Sequence, residues 1–373
     1  MEYEYIDTLE ALQTLATRLK GEPILGIDTE AAGYHRYLDR MSLVQISTRD
    51  DHFLVDPLAV DDLSSLAPLM TDPAVEKIFH DADFDLRIMD RDAGLSVLGL
   101  FDTQIAAAFL GERQLGLGAI IEKFLGVKLP KLYQRADWAE RPLTDGMKDY
   151  AVTDTAYLPP LRDALRAQLV ELGRLEWAEE EFARREETRH AEPGDEREAF
   201  LKVKGARDLQ PRGLAILREL YRWRDEVAEQ RDQATFRVLG NQTLIALSLR
   251  PPANAQELSK VEGLSQGLAD RRGRDIFAAI QRGLAVPDDE LPRFPPARRW
   301  DRDPDVEARS ERLRDARGRV ADELGLDPGF LISRAVLDDV ARRNPKSADE
   351  LLEIPDVRRW QQLTLGDAIL KAL

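Results

Sequence analysis

The stretch Pro23-Ile24-Leu25-Gly26-Ile27-Asp28-Thr29-Glu30 decides how the rest of the chain is read. Ile24, Leu25 and Ile27 form the nearly continuous apolar run of a strand covered on both faces. Residues i and i+2 of a strand project to the same face, so Asp28 and Glu30 leave its end side by side. Neighbouring carboxylates repel, and burying either one is costly unless a positive charge neutralises it. A divalent cation does so most directly, and an all-oxygen donor set suits Mg²⁺ or Mn²⁺. An isolated D-x-E more often ends a strand in a solvated acidic turn. The weight therefore falls on what else the chain supplies.

With 373 residues, two or three domains are expected. Hydrophobic content of 43% and charged content of 33% describe a soluble globular protein. No stretch approaches the ~20 apolar residues of a membrane span. Met1-Glu2-Tyr3-Glu4 carries no basic, apolar leader, so a cytoplasmic chain is expected. The absence of cysteine excludes disulfides, thiolate metal sites and a cysteine nucleophile. The net charge of −16 is uneven: residues 1–200 carry −18, 201–300 carry +5 and 301–373 carry −3. The acid lies with the proposed metal-binding carboxylates, and the middle of the chain has room for a local basic track.

Leucines at 9, 12, 15 and 19 predict an amphipathic helix over 8–20. After the strand over 23–29, Leu43–Ser47 and His52–Asp56 flank a polar turn and read as a hairpin. A helix is expected over 62–70 and a strand over 75–79, with little strand after residue 102. That order fits a mixed sheet in which a meander meets parallel strands joined by right-handed crossovers. A second acidic group, His80-Asp81-Ala82-Asp83-Phe84-Asp85-Leu86, sits where a strand gives way to a helix, the edge on which α/β sheets place their sites. Phe84 and Ile88 are expected to pack inward, and Asp81, Asp83 and Asp85 all compete as ligands, although acids at a helix start are favoured by the dipole alone. The third group, Asp149–Leu158, lies in a helix predicted to run on to 171 with a kink at Pro159-Pro160. Tyr150 and Asp154 share one face of it.

Taken in order, the three groups resemble the ribonuclease D group of DEDD-type 3′→5′ exonucleases, in the subgroup with tyrosine in its third motif. D-x-E matches Asp28-Thr29-Glu30. Histidine followed five residues later by aspartate and then leucine matches His80 to Leu86 and selects Asp85, and Y-x-x-x-D matches Tyr150 and Asp154. Phe101-Asp102-Thr103-Gln104 and Arg135–Leu143 are similar to family segments as well, so the resemblance covers most of residues 1–170. Two positions depart: Ala31 stands where phenylalanine is frequent, and Asp81 where asparagine is frequent. The resemblance implies an α/β ribonuclease H-like domain with a mixed five-stranded sheet and flanking helices. It implies two divalent ions, Mg or Mn, held by Asp28, Glu30, Asp85 and Asp154, with Asp28 bridging and Tyr150 positioning the attacking water. Nucleoside 5′-monophosphates would leave an RNA with a free 3′ end, precursor tRNA being the expected substrate and a monomer the expected state. A DNA exonuclease of repair type shares these motifs. A non-catalytic RNA-binding scaffold would instead predict a broken tetrad.

Beyond residue 175 the composition changes. The Glu- and Arg-rich stretch 171–198, with Glu179-Glu180-Glu181, reads as a solvated helix leading to a turn at Glu192-Pro193-Gly194-Asp195. Two all-α segments of similar plan follow, and each resembles an HRDC domain. The expected organisation is an exonuclease domain over 1–175, a helical linker over 176–208, an HRDC-like domain over 209–288, a Pro/Arg-rich linker over 289–304 and a second HRDC-like domain over 305–373. In the first segment arginines interleave with aromatics, in Tyr221-Arg222-Trp223-Arg224 and then Arg231, Phe236 and Arg237. Arg222, Arg224, Arg231 and Arg237 are therefore candidates for RNA binding. The competing reading has Tyr221 and Trp223 as core anchors and the arginines as a solvated face.

Overall fold

The computed structural model describes residues 1–130, 132–191, 196–295 and 303–373. The expected turn at Glu192–Asp195 and residues 296–302 of the Pro/Arg-rich linker lie outside them. Strands β1 (Glu4–Ile6), β2 (Ile24–Ala31), β3 (Met41–Ser47), β4 (His52–Val55), β5 (Glu76–Phe79) and β6 (Leu100–Asp102) form one sheet in the order β1-β4-β3-β2-β5-β6. β2, β3 and β4 are an antiparallel meander, while β1, β5 and β6 join it parallel. The sheet has six strands where five were expected. β1 and β6 are three residues long, too short to print a period of two on the sequence. The first helix, Leu9–Leu19, is capped by Thr8 and buries Leu12, Leu15 and Leu19. The helix expected over 62–70 is instead a 3₁₀ turn, Ser64–Leu66, followed by one turn of α-helix, Ala67–Met70.

β2 is central, and the helix of the third motif lies across it. Gly26 makes that contact possible: a Cβ there would stand 2.8 Å from the Thr155 carbonyl oxygen and 3.1 Å from the Leu158 Cβ. The Ser47 and Thr155 hydroxyls also hydrogen-bond, at 2.7 Å. The predicted kinked helix is two helices, Asp145–Ala156 and Leu158–Glu171. Pro159 and Pro160 fall in the first turn of the second, where a missing N–H costs no helical hydrogen bond.

The two C-terminal modules relate to this domain differently. The first is built on helices Pro211–Gln230, Asn241–Leu249 and Gln266–Leu284 and has its own core around Leu217, Leu220, Trp223 and Ile280. The second, on Pro304–Leu324, Arg334–Arg343 and Arg359–Ala372, shares one continuous core with the sheet domain. Phe109 meets Phe330 and Trp360 edge to face at 4.8 and 5.0 Å, and Trp177 stacks on Trp360 at 5.5 Å. The stretch read as a solvated linker contains part of this seam. Helix Leu175–Arg185 buries Ala178 and Phe182, and Phe182 packs on Phe101 of β6 at 4.9 Å. Glu180 accepts the Arg359 and Trp360 backbone N–H groups at 2.8 and 2.9 Å, a carboxylate at a helix N-terminus. Glu181 accepts from the Trp360 indole at 2.8 Å. The glutamates are thus occupied by the second module rather than by solvent. Replacing Gly26 with alanine forces the third-motif helix away from β2. Gly26→Ala is expected to cost ~1–3 kcal/mol in urea unfolding and to lower activity with it; a variant as stable and active as the parent would show that the contact is slack.

Candidate active site

Asp28 and Glu30 stand on the last turn of β2's pleat, and Asp154 reaches them from the helix Asp145–Ala156. One carboxylate oxygen from each of the three lies within 4.8 Å of the other two. Asp85 is in the first turn of helix Asp83–Ala93, buried to 5% exposure. Its Oδ1 accepts from the Thr29 backbone N–H at 3.0 Å and from the Thr29 hydroxyl at 2.5 Å. The residue between the two acids of the first motif thus ties the second motif to β2. Asp83 instead pairs at the surface with Arg87 and Arg185, and Asp81 is exposed with a φ of 60°. Phe84, expected inward, is 49% exposed; Leu86, Ile88 and Met89 fill the core face.

Tyr150, one turn before Asp154, is nearly buried between Tyr133 and Trp138, with ring centroids at 6.0 and 6.2 Å. The segment carrying Trp138 is fastened by Arg141, which donates to both oxygens of Asp56 at 2.6 and 2.7 Å and to the Ser42 carbonyl at 2.6 Å. Tyr5 donates to the same Asp56 carboxylate at 2.6 Å. A cleft of about 500 Å³ opens over the cluster, lined by Asp28, Glu30, Tyr150 and Asp154 and also by His80, Gly116–Ala119 and Gln134. Gly116–Ala119 and Gln134 carry no periodicity or charge pattern that would have singled them out in the sequence. His80 takes part in a hydrogen bond with the Thr103 hydroxyl at 2.9 Å, which joins it to the Phe101–Gln104 segment.

The cluster is electrostatically uncompensated among the described residues that line the cleft, none of which is lysine or arginine. Burial, then the Asp154 charge, pushes Asp28 up to about 8. Burial pushes Asp154 up to about 7, against the opposing pull of the Tyr150 hydroxyl. Glu30 and Asp85 are also held well above the carboxylate range, first by burial and then by the neighbouring acids. Burial and the Asp154 and Glu30 charges raise Tyr150, so its hydroxyl keeps its proton and serves as a donor. Four carboxylates that resist ionisation, Asp85 buried and the other three half-buried at the cleft, fit hard divalent cations, which supply the missing charge and bind through oxygen.

The four arginines proposed for RNA lie on the first helical module, outside this cleft. Arg222 and Arg231 are exposed, and Arg222 is 3.3 Å from Glu219. Arg224 is buried at 4%, with its guanidinium donating to the Leu239 carbonyl and to Asn241 Oδ1 at 3.2 and 2.7 Å. It braces the module and presents nothing to a phosphate. Trp223 is a core residue, as the competing reading had it. Arg237 is exposed, and its Nε donates to the Tyr34 carbonyl of the sheet domain at 2.8 Å.

Residues 3–170 match the 3'-5' exonuclease family, and residues 213–280 and 306–373 each match the HRDC domain. A ribonuclease D from Pseudomonas paraeruginosa is 32% identical over 100% of this chain and 98% of its own. The chain belongs to the ribonuclease D family. A ribonuclease D from Acidiphilium cryptum is 34% identical over 98% of this chain and 92% of its own. The crystal structure of Escherichia coli RNase D superposes with a TM-score of 0.70 at 26% identity, covering 100% of this chain and 99% of that one. Family membership makes the chain a metal-dependent 3′→5′ exoribonuclease, with a ribonuclease H-like domain followed by two HRDC domains.

The raised carboxyl groups set a pH dependence for the metal-free fold. A group whose folded pKa is raised contributes stability that is complete below its unfolded value, ~4 for aspartate, and is lost as pH rises through the folded value. Here that loss runs up through about 7 for Asp154 and about 8 for Asp28. In chelator the melting temperature should fall between pH 5 and 8, and Asp28→Asn should blunt the fall. Mg²⁺ at pH 8 should restore the parent and not the variant. Parallel pH curves for the two proteins would contradict this electrostatic account.

Proposed function

We propose that this chain hydrolyses the last phosphodiester of an RNA 3′ end and releases nucleoside 5′-monophosphates, using two divalent cations, Mg²⁺ or Mn²⁺. The ligands are Asp28, Glu30, Asp85 and Asp154. The observation that carries the reading is the convergence of Asp28, Glu30 and Asp154 within 4.8 Å at the base of an open cleft. Bound there, a cation pair supplies charge neutralisation for the phosphate and a water ionised near neutral pH. Asp28, within reach of both Glu30 and Asp154, would be the ligand shared by the two cations. Asp85, with its Oδ1 committed to Thr29, would act on the cations through its second oxygen. Tyr150 keeps its proton and donates a hydrogen bond that orients the attacking water, while its ring, packed on Trp138 and Tyr133, holds the hydroxyl in place.

The Escherichia coli relative is described as an exoribonuclease involved in structured RNA processing. That description, with the tandem HRDC modules, supports structured RNAs with a free 3′ end, precursor tRNA among them, as the substrates here. No helix among the described residues is long and apolar enough to cross a membrane; a monomer in the cytoplasm is the proposed setting. Of the four arginines, Arg222, Arg231 and Arg237 are exposed, which supports them over Arg224 as contacts to a phosphate backbone.

Asp28→Asn, Glu30→Gln, Asp85→Asn and Asp154→Asn should each lower kcat on a single-stranded RNA at least ~10³-fold, and Tyr150→Phe by ~10²-fold, with RNA binding retained. Asp81→Asn and Asp83→Asn should stay near the parent rate. Mononucleotide release measured in Mg²⁺, Mn²⁺ and chelator reads all of these. An inactive Asp83→Asn beside an active Asp85→Asn would overturn the ligand assignment.

A further inference from the structure

We propose that Tyr34, Phe236, Arg237 and Arg135 form a composite stacking platform, built from both the exonuclease domain and the first HRDC module, that takes unpaired nucleotides just upstream of the RNA 3′ end. The proposal rests on the RNA-hydrolysing reading of the cleft and specifies how the strand reaches it. Tyr34 leaves the end of β2 four residues after Glu30, and Phe236 lies on the short helix Thr235–Val238 of the module. Large aromatics are usually buried, yet these two are 42% and 48% exposed. Their ring centroids are 5.3 Å apart with planes at 51°.

Two guanidinium groups sit on this pair. The Arg237 guanidinium carbon is 4.8 Å from the Tyr34 centroid and 5.9 Å from that of Phe236, and that of Arg135 is 5.6 Å from Tyr34. Neither arginine is paired with a carboxylate among the described residues, so both guanidinium charges are left to a ligand. The platform adjoins the catalytic cleft. Gln134, next to Arg135, lines that cleft, and the Arg135 carbonyl is 2.8 Å from His35 Nε2 beside Tyr34. Exposed rings interleaved with unpaired guanidinium groups suit a flexible single strand, the rings and guanidinium planes stacking on bases and the charges taking phosphates. A protein partner would call for a continuous apolar patch rather than two rings wrapped by two cations.

Besides the Arg237 Nε bond to the Tyr34 carbonyl, docking of the module uses contacts outside the two rings. Arg36 pairs with Asp232 at 3.1 Å, the Tyr37 hydroxyl donates to Asp225 at 2.9 Å, and the Ala234 N–H donates to the His35 carbonyl at 3.0 Å. The ring of Phe236 can therefore be changed while these remain.

The test measures binding of a 5′-fluorescein eight-nucleotide oligoadenylate in Ca²⁺, and Mg²⁺-dependent hydrolysis of the eight-mer and of a diadenylate, by the full chain. Phe236→Leu keeps apolar bulk and loses the π face; Phe236→Trp keeps it. Phe236→Leu should weaken eight-mer binding about tenfold or more and raise its KM in step. It should leave kcat and diadenylate hydrolysis unchanged, and Phe236→Trp should bind like the parent. Arg135→Ala, which removes a platform charge and leaves the inter-domain hydrogen bonds in place, should weaken the eight-mer similarly and flatten the salt dependence. Eight-mer affinity unaltered in Phe236→Leu, or an equal loss for both substitutions, would overturn the platform. Binding decides the matter even if the parent hydrolyses neither RNA, a result that would sink the catalytic reading alone.

Discussion

The close approach of the third-motif helix to β2 at Gly26 is the constraint on which the site depends. A hydrogen in place of a side chain lets the Thr155 carbonyl settle against the strand, with the Ser47–Thr155 hydroxyl pair alongside. Asp154 is one residue away from that contact, so the depth of the helix fixes its distance from Asp28 and Glu30. The same strand holds the second motif through the two hydrogen bonds from Thr29 to Asp85. Packing thus drives four acids into a volume where electrostatics opposes them. Nothing within the described cleft compensates, and the carboxylates stay proton-hungry until a cation arrives. Stability is given up at this point for function, as is usual where local rules are broken.

The helical modules divide the remaining work. The second is fused to the exonuclease domain through Phe109, Trp177 and Trp360, with Glu180 and Glu181 holding the start of its last helix. Its contribution is to bury surface that the sheet domain would otherwise expose. The first keeps a separate core and meets the sheet domain at the 34–37 loop that follows the first motif. That loop follows directly on the strand that carries Asp28 and Glu30.

Much of this was legible in the sequence, and for physical reasons. A strand buried on both faces needs an apolar run, and that run ends at Asp28 and Glu30. Tyr150 and Asp154, one helical turn apart, share a face by spacing alone. Other features left no local trace. β1 and β6 are too short for periodicity, and their pairing is settled by partners far along the chain. The Glu179-Glu180-Glu181 run has the composition of a solvated face, and only the arrival of a helix N-terminus some 180 residues later turns it into an interface. Arg224 has the same signature as Arg222 in the sequence. Whether such an arginine meets solvent or a buried carbonyl depends on tertiary packing, here on Leu239 and Asn241. Phe84 likewise satisfied a helical spacing yet turned outward, because Leu86, Ile88 and Met89 already filled the core face.

The central claim is that the carboxylate cluster directs water to the last phosphodiester of an RNA 3′ end. Its most direct measurement is hydrolysis of a short single-stranded RNA in ¹⁸O-water with Mg²⁺, read by mass spectrometry of the released products under single-turnover conditions. The account predicts nucleoside 5′-monophosphate carrying one solvent-derived ¹⁸O, and an RNA one nucleotide shorter that ends in an unlabelled 3′-hydroxyl. Unlabelled mononucleotide, a 3′-phosphate product or internal fragments as the first products would contradict it.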